Sequence, residues 1–222
     1  MSKLVIFGAH GKVGQQLVRL IAEKSSLYTA TAVVRNQEQA QQIKSISSDS
    51  PNLSTANLTV DNATVQEIAD TIKGHDAVVF TAGSGGKNLL QVDLDGAVKT
   101  FEASVAANVK RFIIVSAVHA DKREYGAKSP IRNYYIAKHY ADRILAHEFK
   151  DKLDFTILKP THLTDDPPTG KIKFLTDDNV GSVTRADVAK VIYEIIDNKS
   201  TFGKSYDFAN GDLSVTDPAI YK

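Results

Sequence analysis

The feature that most constrains the fold is a regular alternation of short apolar runs with segments of helical periodicity. The runs are rich in β-branched and aromatic residues, a composition that is typical of buried strands. Strands separated by helices predict βαβ units, in which helices cover both faces of a parallel sheet. We therefore predict an α/β fold built on a doubly wound parallel sheet.

The predicted strands are short, and all but the last are almost continuously apolar: Leu4–Phe7, Thr31–Val34, Leu58–Val60, Ala77–Thr81, Phe112–Val115, Phe155–Leu158 and Tyr206–Phe208. The longest covering helices are predicted over Asn88–Asn108 and Asn133–Phe149, and Asn108 is a residue type that commonly ends a helix. Two polar stretches, Ser45–Asn57 and Asp165–Gly170, are predicted to be loops.

Length and composition limit the class of protein. A chain of 222 residues fits one α/β domain. Lys and Arg number 27 against 26 Asp and Glu, without any basic cluster, so nucleic acid is not an expected partner. The absence of cysteine excludes disulfides and thiolate chemistry, and the histidines show no metal-ligand spacing. Neither a signal peptide nor a membrane span is recognisable, so we expect a cytoplasmic protein without membrane contact.

A glycine-rich loop follows the first predicted strand and precedes an amphipathic helix. It reads Gly8-Ala9-His10-Gly11-Lys12-Val13-Gly14, a G-x-x-G-x-x-G pattern. Glycines at this junction permit a tight turn, close approach of backbone to a pyrophosphate and close packing of the helix on the sheet. The pattern predicts a dinucleotide site that uses all of these residues except Ala9, with a plain glycine turn as the alternative.

A basic residue ends the second strand. Dinucleotide-binding proteins that select NAD place Asp or Glu there against the ribose 2′-hydroxyl, whereas this chain has Arg35. A guanidinium can pair with a 2′-phosphate, and such charge-assisted bonds contribute on the order of 1.5–3 kcal/mol. We therefore predict NADP(H) as cofactor, with a solvated arginine at a strand end as the alternative.

Two further segments follow strands that end at the same edge of the sheet. Asp61 comes just after the third predicted strand, and Ala82 and Gly83 come just after the fourth. Because ligands of open parallel sheets bind at this edge, we predict that Asp61 contacts the adenine amino group and that the glycine segment passes close to the cofactor.

Tyr134 and Lys138 lie four residues apart in a predicted helix, and therefore on the same face. Ser116 follows the preceding strand, so a hydroxyl, a phenol and an ammonium can converge on the crevice. This set would serve hydride transfer coupled to proton transfer, with Tyr134 as acid or base, Lys138 lowering its pKa and holding the nicotinamide ribose, and Ser116 orienting the substrate oxygen. The alternative is a half-buried ring and a solvated amine.

The order of these motifs resembles an atypical short-chain dehydrogenase/reductase, within the small NAD(P)-binding group that includes NmrA-like and biliverdin- or flavin-reductase-like proteins. The motifs are Gly8-x-x-Gly11-x-x-Gly14, Thr81-Ala82-Gly83, Val115-Ser116-Ala117, Tyr134-x-x-x-Lys138 and Thr156-Ile157-Leu158-Lys159-Pro160, with similar late motifs at Leu163–Pro167 and Thr184–Ala189.

The resemblance implies a single Rossmann-like NAD(P)-binding domain over residues 1–222, with a small substrate region in the loops after about 117 and 160. It also implies that Pro160 lies near the nicotinamide and that His162 approaches the substrate pocket, although His162 can equally be a surface loop residue. The segment after Leu158 is short. It leaves little room for a large substrate lobe, which disfavours a sugar-nucleotide epimerase.

Three functions remain open. The first is an NADPH-dependent oxidoreductase that reduces a small carbonyl, quinone or flavin-like acceptor. The second is a non-catalytic sensor of the NADP(H) state that signals to a protein partner. The third is an isomerase that uses the dinucleotide transiently. The substrate is predicted to be a small molecule, and the sequence leaves a homo-oligomer open.

Overall fold

A large sheet forms the centre of the molecule in a computed structural model, which describes residues 1–24, 27–48, 50–177 and 180–222. Its strands are β1 (Ser2–Phe7), β2 (Tyr28–Val34), β3 (Leu53–Asn57), β4 (Ala77–Phe80), β5 (Arg111–Val115), β6 (Asp154–Pro160), β8 (Lys171–Phe174), β10 (Lys204–Asn210) and β11 (Leu213–Ser214). Two further strands, β7 (His162–Thr164) and β9 (Ser182–Thr184), form a separate parallel pair.

Helices connect most of the strands. The α-helices are α1 (Lys12–Glu23), α2 (Gln37–Ile46), α3 (Val65–Ile72), α4 (Asp95–Ala106), α5 (Arg123–Lys128), α6 (Arg132–Glu148) and α7 (Arg185–Ile195). A π-helical segment, Leu89–Leu94, leads directly into α4, and short 3₁₀ turns cover Lys199–Thr201 and Pro218–Tyr221. Helix α4 ends before Asn108, which has a φ of 57°, as the sequence predicts.

The strand order is β11-β8-β10-β6-β5-β4-β1-β2-β3. The strands from β10 to β3 along this order are parallel, while β8 and β11 extend the sheet in antiparallel pairing. The chain therefore winds outward in both directions from β1, and a crevice opens where the direction changes, between β1 and β4. The predicted single-domain, doubly wound Rossmann-like fold is confirmed.

Alternating side chains of β1 explain the two cores. Leu4 and Ile6 are fully buried in the layer that contains the apolar faces of α1 and α7. Val5 and Phe7 are fully buried in the opposite layer, with the apolar faces of α3, α4 and α6. Because β1 is covered on both faces, it must be continuously apolar, and this property made it predictable.

The predicted position of the third strand is wrong. The strand lies at Leu53–Asn57, in register with Ala30–Val34 of β2, and not at Leu58–Val60. This strand is on the sheet edge and is only partly buried, so its Ser and Thr residues are compatible with strand structure. The apolar residues that follow it instead turn toward the crevice.

The predicted loop at Ser45–Asn57 is consequently wrong in part, because it contains the end of α2 and all of β3. Residue 49 of that stretch lies outside the described residues. The second predicted loop, Asp165–Gly170, is confirmed. Its far end is fixed by Asp187, whose carboxylate accepts hydrogen bonds from the Thr169 and Gly170 amides at 3.0 and 2.7 Å.

Within the described ranges, no helix is both long and apolar enough to cross a membrane.

Candidate functional site

A cavity of about 580 Å³ lies at the carboxyl ends of β1, β2, β4 and β5. It brings together most of the residues predicted from the sequence: Gly8, His10, Gly11, Lys12, Val13, Arg35, Asp61, Ala82, Gly83, Ser116, Tyr134 and Lys138. Gly14 and Pro160 are not among its lining residues. Pro160 ends β6, where it is buried and its carbonyl accepts a hydrogen bond from the Val118 amide.

The glycine loop forms the floor of one end of the cavity. Gly8 has a φ of 82°, and a Cβ there would lie 2.4 Å from the Ala82 nitrogen, so the loops after β1 and β4 touch through backbone. Gly11 precedes the first turn of α1 and provides no side-chain cap for its amides. Those amides and the positive end of the helix dipole are suited to a pyrophosphate.

Gly14 does not line the cavity, because it lies inside α1 and faces the loop after β1. A Cβ at this position would lie 2.4 Å from the Gly8 carbonyl oxygen and 2.7 Å from the Ala9 Cα. The glycine therefore allows the helix to pack directly on the loop, whereas Gly11 faces more open space, with the Gly8 oxygen at 3.1 Å.

These two glycines should separate folding from binding. We expect Gly14→Ala to destabilise the protein by about 1–3 kcal/mol, because backbone atoms must move to admit the methyl group. Gly11→Ala should leave stability within about 1 kcal/mol of the wild type but weaken dinucleotide binding. Urea unfolding and isothermal titration with NADPH measure the two effects, and equal destabilisation by both substitutions would contradict this division of roles.

The end of the cavity at β2 is reached by Arg35, which is exposed just after that strand. Its backbone amide is fixed by the Gln39 side chain at 3.0 Å, so the turn into α2 is well defined. The His10 imidazole is hydrogen-bonded to the Gln42 side chain on α2. His10 therefore lines the cavity with its ring already hydrogen-bonded to the protein.

Asp61 lines the same end of the cavity, and its carboxylate accepts a hydrogen bond from the Asn88 side-chain amide at 3.4 Å. The Lys99 ammonium donates to the backbone carbonyls of Asp61 and Ala63 at 3.3 and 2.9 Å, which fixes the segment after β3. The apolar segment mistaken for a strand contributes Leu58 and Val60 to the cavity wall.

Two basic residues of the cavity lining are joined through one carboxylate. The Asp165 carboxylate pairs with Lys12 of the glycine loop at 2.6 Å and with Arg185 at the start of α7 at 2.7 Å. The Lys12 ammonium and the Arg185 guanidinium hold the pKa of Asp165 below its ordinary value. Lys12 and Arg185 both line the cavity, but Arg185 was noticed in the sequence only as part of a late motif, without a role in the site.

The other end of the cavity contains the predicted chemical groups. The Lys138 ammonium lies 5.7 Å from the centre of the Tyr134 ring and donates to the Val115 carbonyl at 3.3 Å. Burial raises the pKa of Tyr134, and the opposing effect of the Lys138 charge does not cancel it. Tyr134 is thus a protonated phenol at neutral pH, which makes it suitable as a proton donor.

Asp93 was not predicted from the sequence. It lies in the π-helical segment, is 1% exposed, and its Oδ1 is 3.7 Å from the Lys138 ammonium. Its Oδ2 accepts a hydrogen bond from the Ser84 amide at 3.0 Å and so holds the loop after β4. An Asp within a predicted helix gives no sequence signal of burial, because such residues are usually solvated.

Asp142 was also missed. Its side chain is buried, and its Oδ2 accepts a hydrogen bond of 2.6 Å from the Ser116 hydroxyl. A signal for it existed, because Tyr134, Lys138 and Asp142 follow one another at intervals of four residues and therefore share one helix face.

The donor set fits an anionic dinucleotide. Basic side chains outnumber acidic ones in the cavity lining: Lys12, Arg35, Lys87, Lys138 and Arg185 against Asp61 and Asp93. At Gly11 a Cβ would have only the Gly8 oxygen within 4 Å, at 3.1 Å, and this glycine precedes the uncapped amino end of α1. A pyrophosphate requires such an uncapped helix end beside basic side chains.

Comparison with known proteins agrees with this geometry. A family model described as NAD(P)H-binding matches residues 8–199. A Bacillus subtilis protein named an uncharacterized sugar epimerase, YhfK, is 38% identical over 219 residues, which cover 97% of each chain.

Solved structures show the same relationship. The oxidoreductase ylbE from Lactococcus lactis is 35% identical, has a TM-score of 0.86, and is matched over 97% of this chain and 94% of that one. A short-chain dehydrogenase/reductase from Veillonella parvula, solved in complex with NADP, shares the fold with a TM-score of 0.73 at 18% identity, over 96% of each chain. With its switch-point crevice and glycine loop, the chain belongs to the NAD(P)H-binding family of Rossmann-fold proteins.

Proposed function

We propose that the protein is an NADPH-dependent oxidoreductase of the short-chain dehydrogenase/reductase type that reduces a small carbonyl, quinone or flavin-like acceptor. The observation that carries this proposal is the single cavity that is lined by both the glycine loop and the Tyr134–Lys138 pair. A nicotinamide dinucleotide in this crevice would be held by the glycine loop, and Tyr134 would be available to its substrate.

The preference for NADP(H) rests on Arg35. The side chain is exposed at the end of β2, lines the cavity, and no acidic residue takes its place. A 2′-phosphate would gain a charge-assisted contact there, while the 2′-hydroxyl of NAD(H) would find no carboxylate acceptor at that strand end.

When bound, the reduced dinucleotide supplies a hydride. The Tyr134 hydroxyl donates the proton that the substrate oxygen needs, the Lys138 ammonium stabilises the developing phenolate, and the Ser116 hydroxyl orients the substrate oxygen. Of the two segments predicted to form the substrate side, the one after residue 160 contributes Leu163 to the cavity lining, and Arg185 at the start of α7 also lines it, whereas no residue of 117–131 is a lining residue. An acceptor with an anionic group would be attracted by Arg185.

The two other functions predict different observations. A sensor would bind NADPH and NADP⁺ with different affinities and consume neither. An isomerase, the class to which the name of the Bacillus subtilis relative refers, would use its dinucleotide without net oxidation. Net consumption of NADPH with an acceptor distinguishes the oxidoreductase from both.

We expect NADPH and NADP⁺ to raise the midpoint of thermal unfolding more than NADH and NAD⁺ at equal concentration, because ligand binding stabilises the folded state. Arg35→Ala should raise the Kd for NADPH by about tenfold to a hundredfold and leave the Kd for NADH almost unchanged. Arg123→Ala is the matched control, because Arg123 lies outside the cavity, where it contacts Tyr140.

An equal response to all four dinucleotides, or an unchanged NADPH affinity in Arg35→Ala, would refute the NADP(H) assignment. NADPH consumption with 1,4-naphthoquinone, 9,10-phenanthrenequinone and FMN then tests the reductase activity itself. A protein that binds NADPH but reduces none of these acceptors would favour the sensor or isomerase.

A further inference from the structure

We propose that Asp142 controls the direction of the Ser116 hydrogen bond, and thereby decides whether Ser116 presents a donor or an acceptor to the substrate oxygen. This inference rests on the proposed oxidoreductase function and assigns a positioning role to a residue outside the cavity lining. Asp142 lies behind the cavity wall on α6, and Ser116 lies on the wall itself.

The contact between the two side chains is close and enclosed. Ser116 is 4% and Asp142 7% exposed, and their oxygen atoms are 2.6 Å apart. The Ser116 amide donates to the Leu158 carbonyl at 2.7 Å, so the backbone that carries the hydroxyl is held in place. Among the described residues, the second carboxyl oxygen of Asp142 has no hydrogen-bond partner. A change in the protonation state of Asp142 therefore changes its hydrogen bond with the Ser116 hydroxyl.

A hydroxyl has one proton to donate. When Asp142 is ionised, the Ser116 proton points to the carboxylate, and only the oxygen lone pairs face the cavity. When Asp142 is protonated, the carboxyl can donate to Ser116, and the Ser116 proton is released toward the cavity. The first state suits a substrate hydroxyl, which donates, and the second suits a substrate carbonyl, which accepts.

The groups around Asp142 permit both states near neutral pH. Burial raises its pKa to about 7, although the Ser116 hydrogen bond and the positive charges of Lys138 and Lys159 oppose this rise. Lys138 is on the same helix and Lys159 is on β6, while Asp121, in the loop after β5, faces Asp142 with a like charge that raises the pKa further.

The consequence is that the preferred direction of the reaction, carbonyl reduction or alcohol oxidation, depends on pH. Carbonyl reduction should be fastest with Asp142 protonated, and its kcat/KM should fall up to tenfold for each pH unit above the pKa of that carboxyl. Alcohol oxidation should show the opposite trend. Tyr134 does not explain such a change near neutral pH, because its own pKa is raised from 10.0.

The first measurement does not require turnover. Carbon-13 NMR of aspartate carboxyl groups, with the Asp142 signal assigned from its loss in Asp142→Asn, follows ionisation directly. We expect a midpoint near neutral pH, and a higher midpoint in Ser116→Ala because the hydrogen bond to the ionised form is lost. A midpoint below about pH 5, or no change in Ser116→Ala, would overturn the proposal.

The second measurement is the pH profile of NADPH oxidation with 9,10-phenanthrenequinone. Asp142→Asn and Asp142→Leu should both lose the fall in kcat/KM near neutral pH, and at about pH 8 they should exceed the wild type by about tenfold, since the wild-type carboxyl is then mostly ionised. Asp121→Asn is the control, because it removes a like charge near Asp142 and leaves the hydrogen bond between Asp142 and Ser116 in place. It should keep the fall in kcat/KM and move it to lower pH.

Variants that retain the wild-type pH profile would overturn the proposal. A purely structural role for Asp142 cannot produce the expected gain in kcat/KM at high pH. Two replacements are used so that the test can still be made if one of the variants does not fold. If Asp142 titrates near neutral pH but the wild type oxidises no NADPH with any acceptor, the oxidoreductase proposal fails while the control of Ser116 by Asp142 is supported.

Discussion

Tyr134→Phe should lower the turnover number for NADPH oxidation by about a hundredfold to ten-thousandfold, the range for loss of a positioned proton donor. The ring lines the cavity, and the Lys138 ammonium lies 5.7 Å from its centre. Phenylalanine retains the ring and its packing and removes only the hydroxyl. The Kd for NADPH should therefore change by less than about threefold, so that the loss appears in kcat.

Steady-state kinetics and a direct NADPH titration of the same preparation measure the two quantities. Tyr140→Phe is a suitable control, because its hydroxyl is on the same helix but contacts the exposed Arg123. Full turnover by Tyr134→Phe would remove the phenol from the mechanism and leave Ser116 as the hydroxyl closest to the proposed substrate site. Equal loss in both variants would indicate an effect on helix α6 as a whole.

The fold was predictable where burial is complete. The central strands β1, β4 and β5 are covered on both faces, so that their apolar runs have no other explanation in a chain of this length. Prediction failed at the sheet edge, because β3 is half-buried and its polar residues resemble a loop. The strands from β7 to β9 were missed for a similar reason, since they are three or four residues long and contain many polar residues.

The site was predictable as far as local patterns determine it. The glycine loop and Arg35 depend on a strand, a turn and a helix that are adjacent in the sequence. Asp93 and Arg185 depend on contacts between segments that are far apart, such as the approach of the π-helical segment to α6. Neither residue has a spacing that separates it from a solvated charge.

Because Lys138 pairs with Asp93, we expect Lys138 to contribute to both stability and activity. Their side chains are 3% and 1% exposed. A buried carboxylate that loses its cationic partner has neither solvent nor a counter-charge, and removal of one member of such a pair typically costs about 3–5 kcal/mol. We therefore expect Lys138→Met to be destabilised by about this amount, in addition to losing turnover.

The double variant Asp93→Asn/Lys138→Met should recover most of that stability, because the asparagine carries no charge and its oxygen can still accept from the Ser84 amide. Lys24→Met is the control for an exposed ion pair. The Lys24 ammonium lies 3.9 Å from the Glu194 carboxylate, and both side chains are partly solvated. Such exposed pairs contribute at most about 1 kcal/mol to stability. Urea unfolding of Asp93→Asn, Lys138→Met, the double variant and the wild type gives the coupling energy. A loss below about 1 kcal/mol in Lys138→Met, or no recovery in the double variant, would mean that Asp93 is not held by the Lys138 charge. Turnover should stay low in the double variant even when stability returns, since the ammonium beside Tyr134 is still missing.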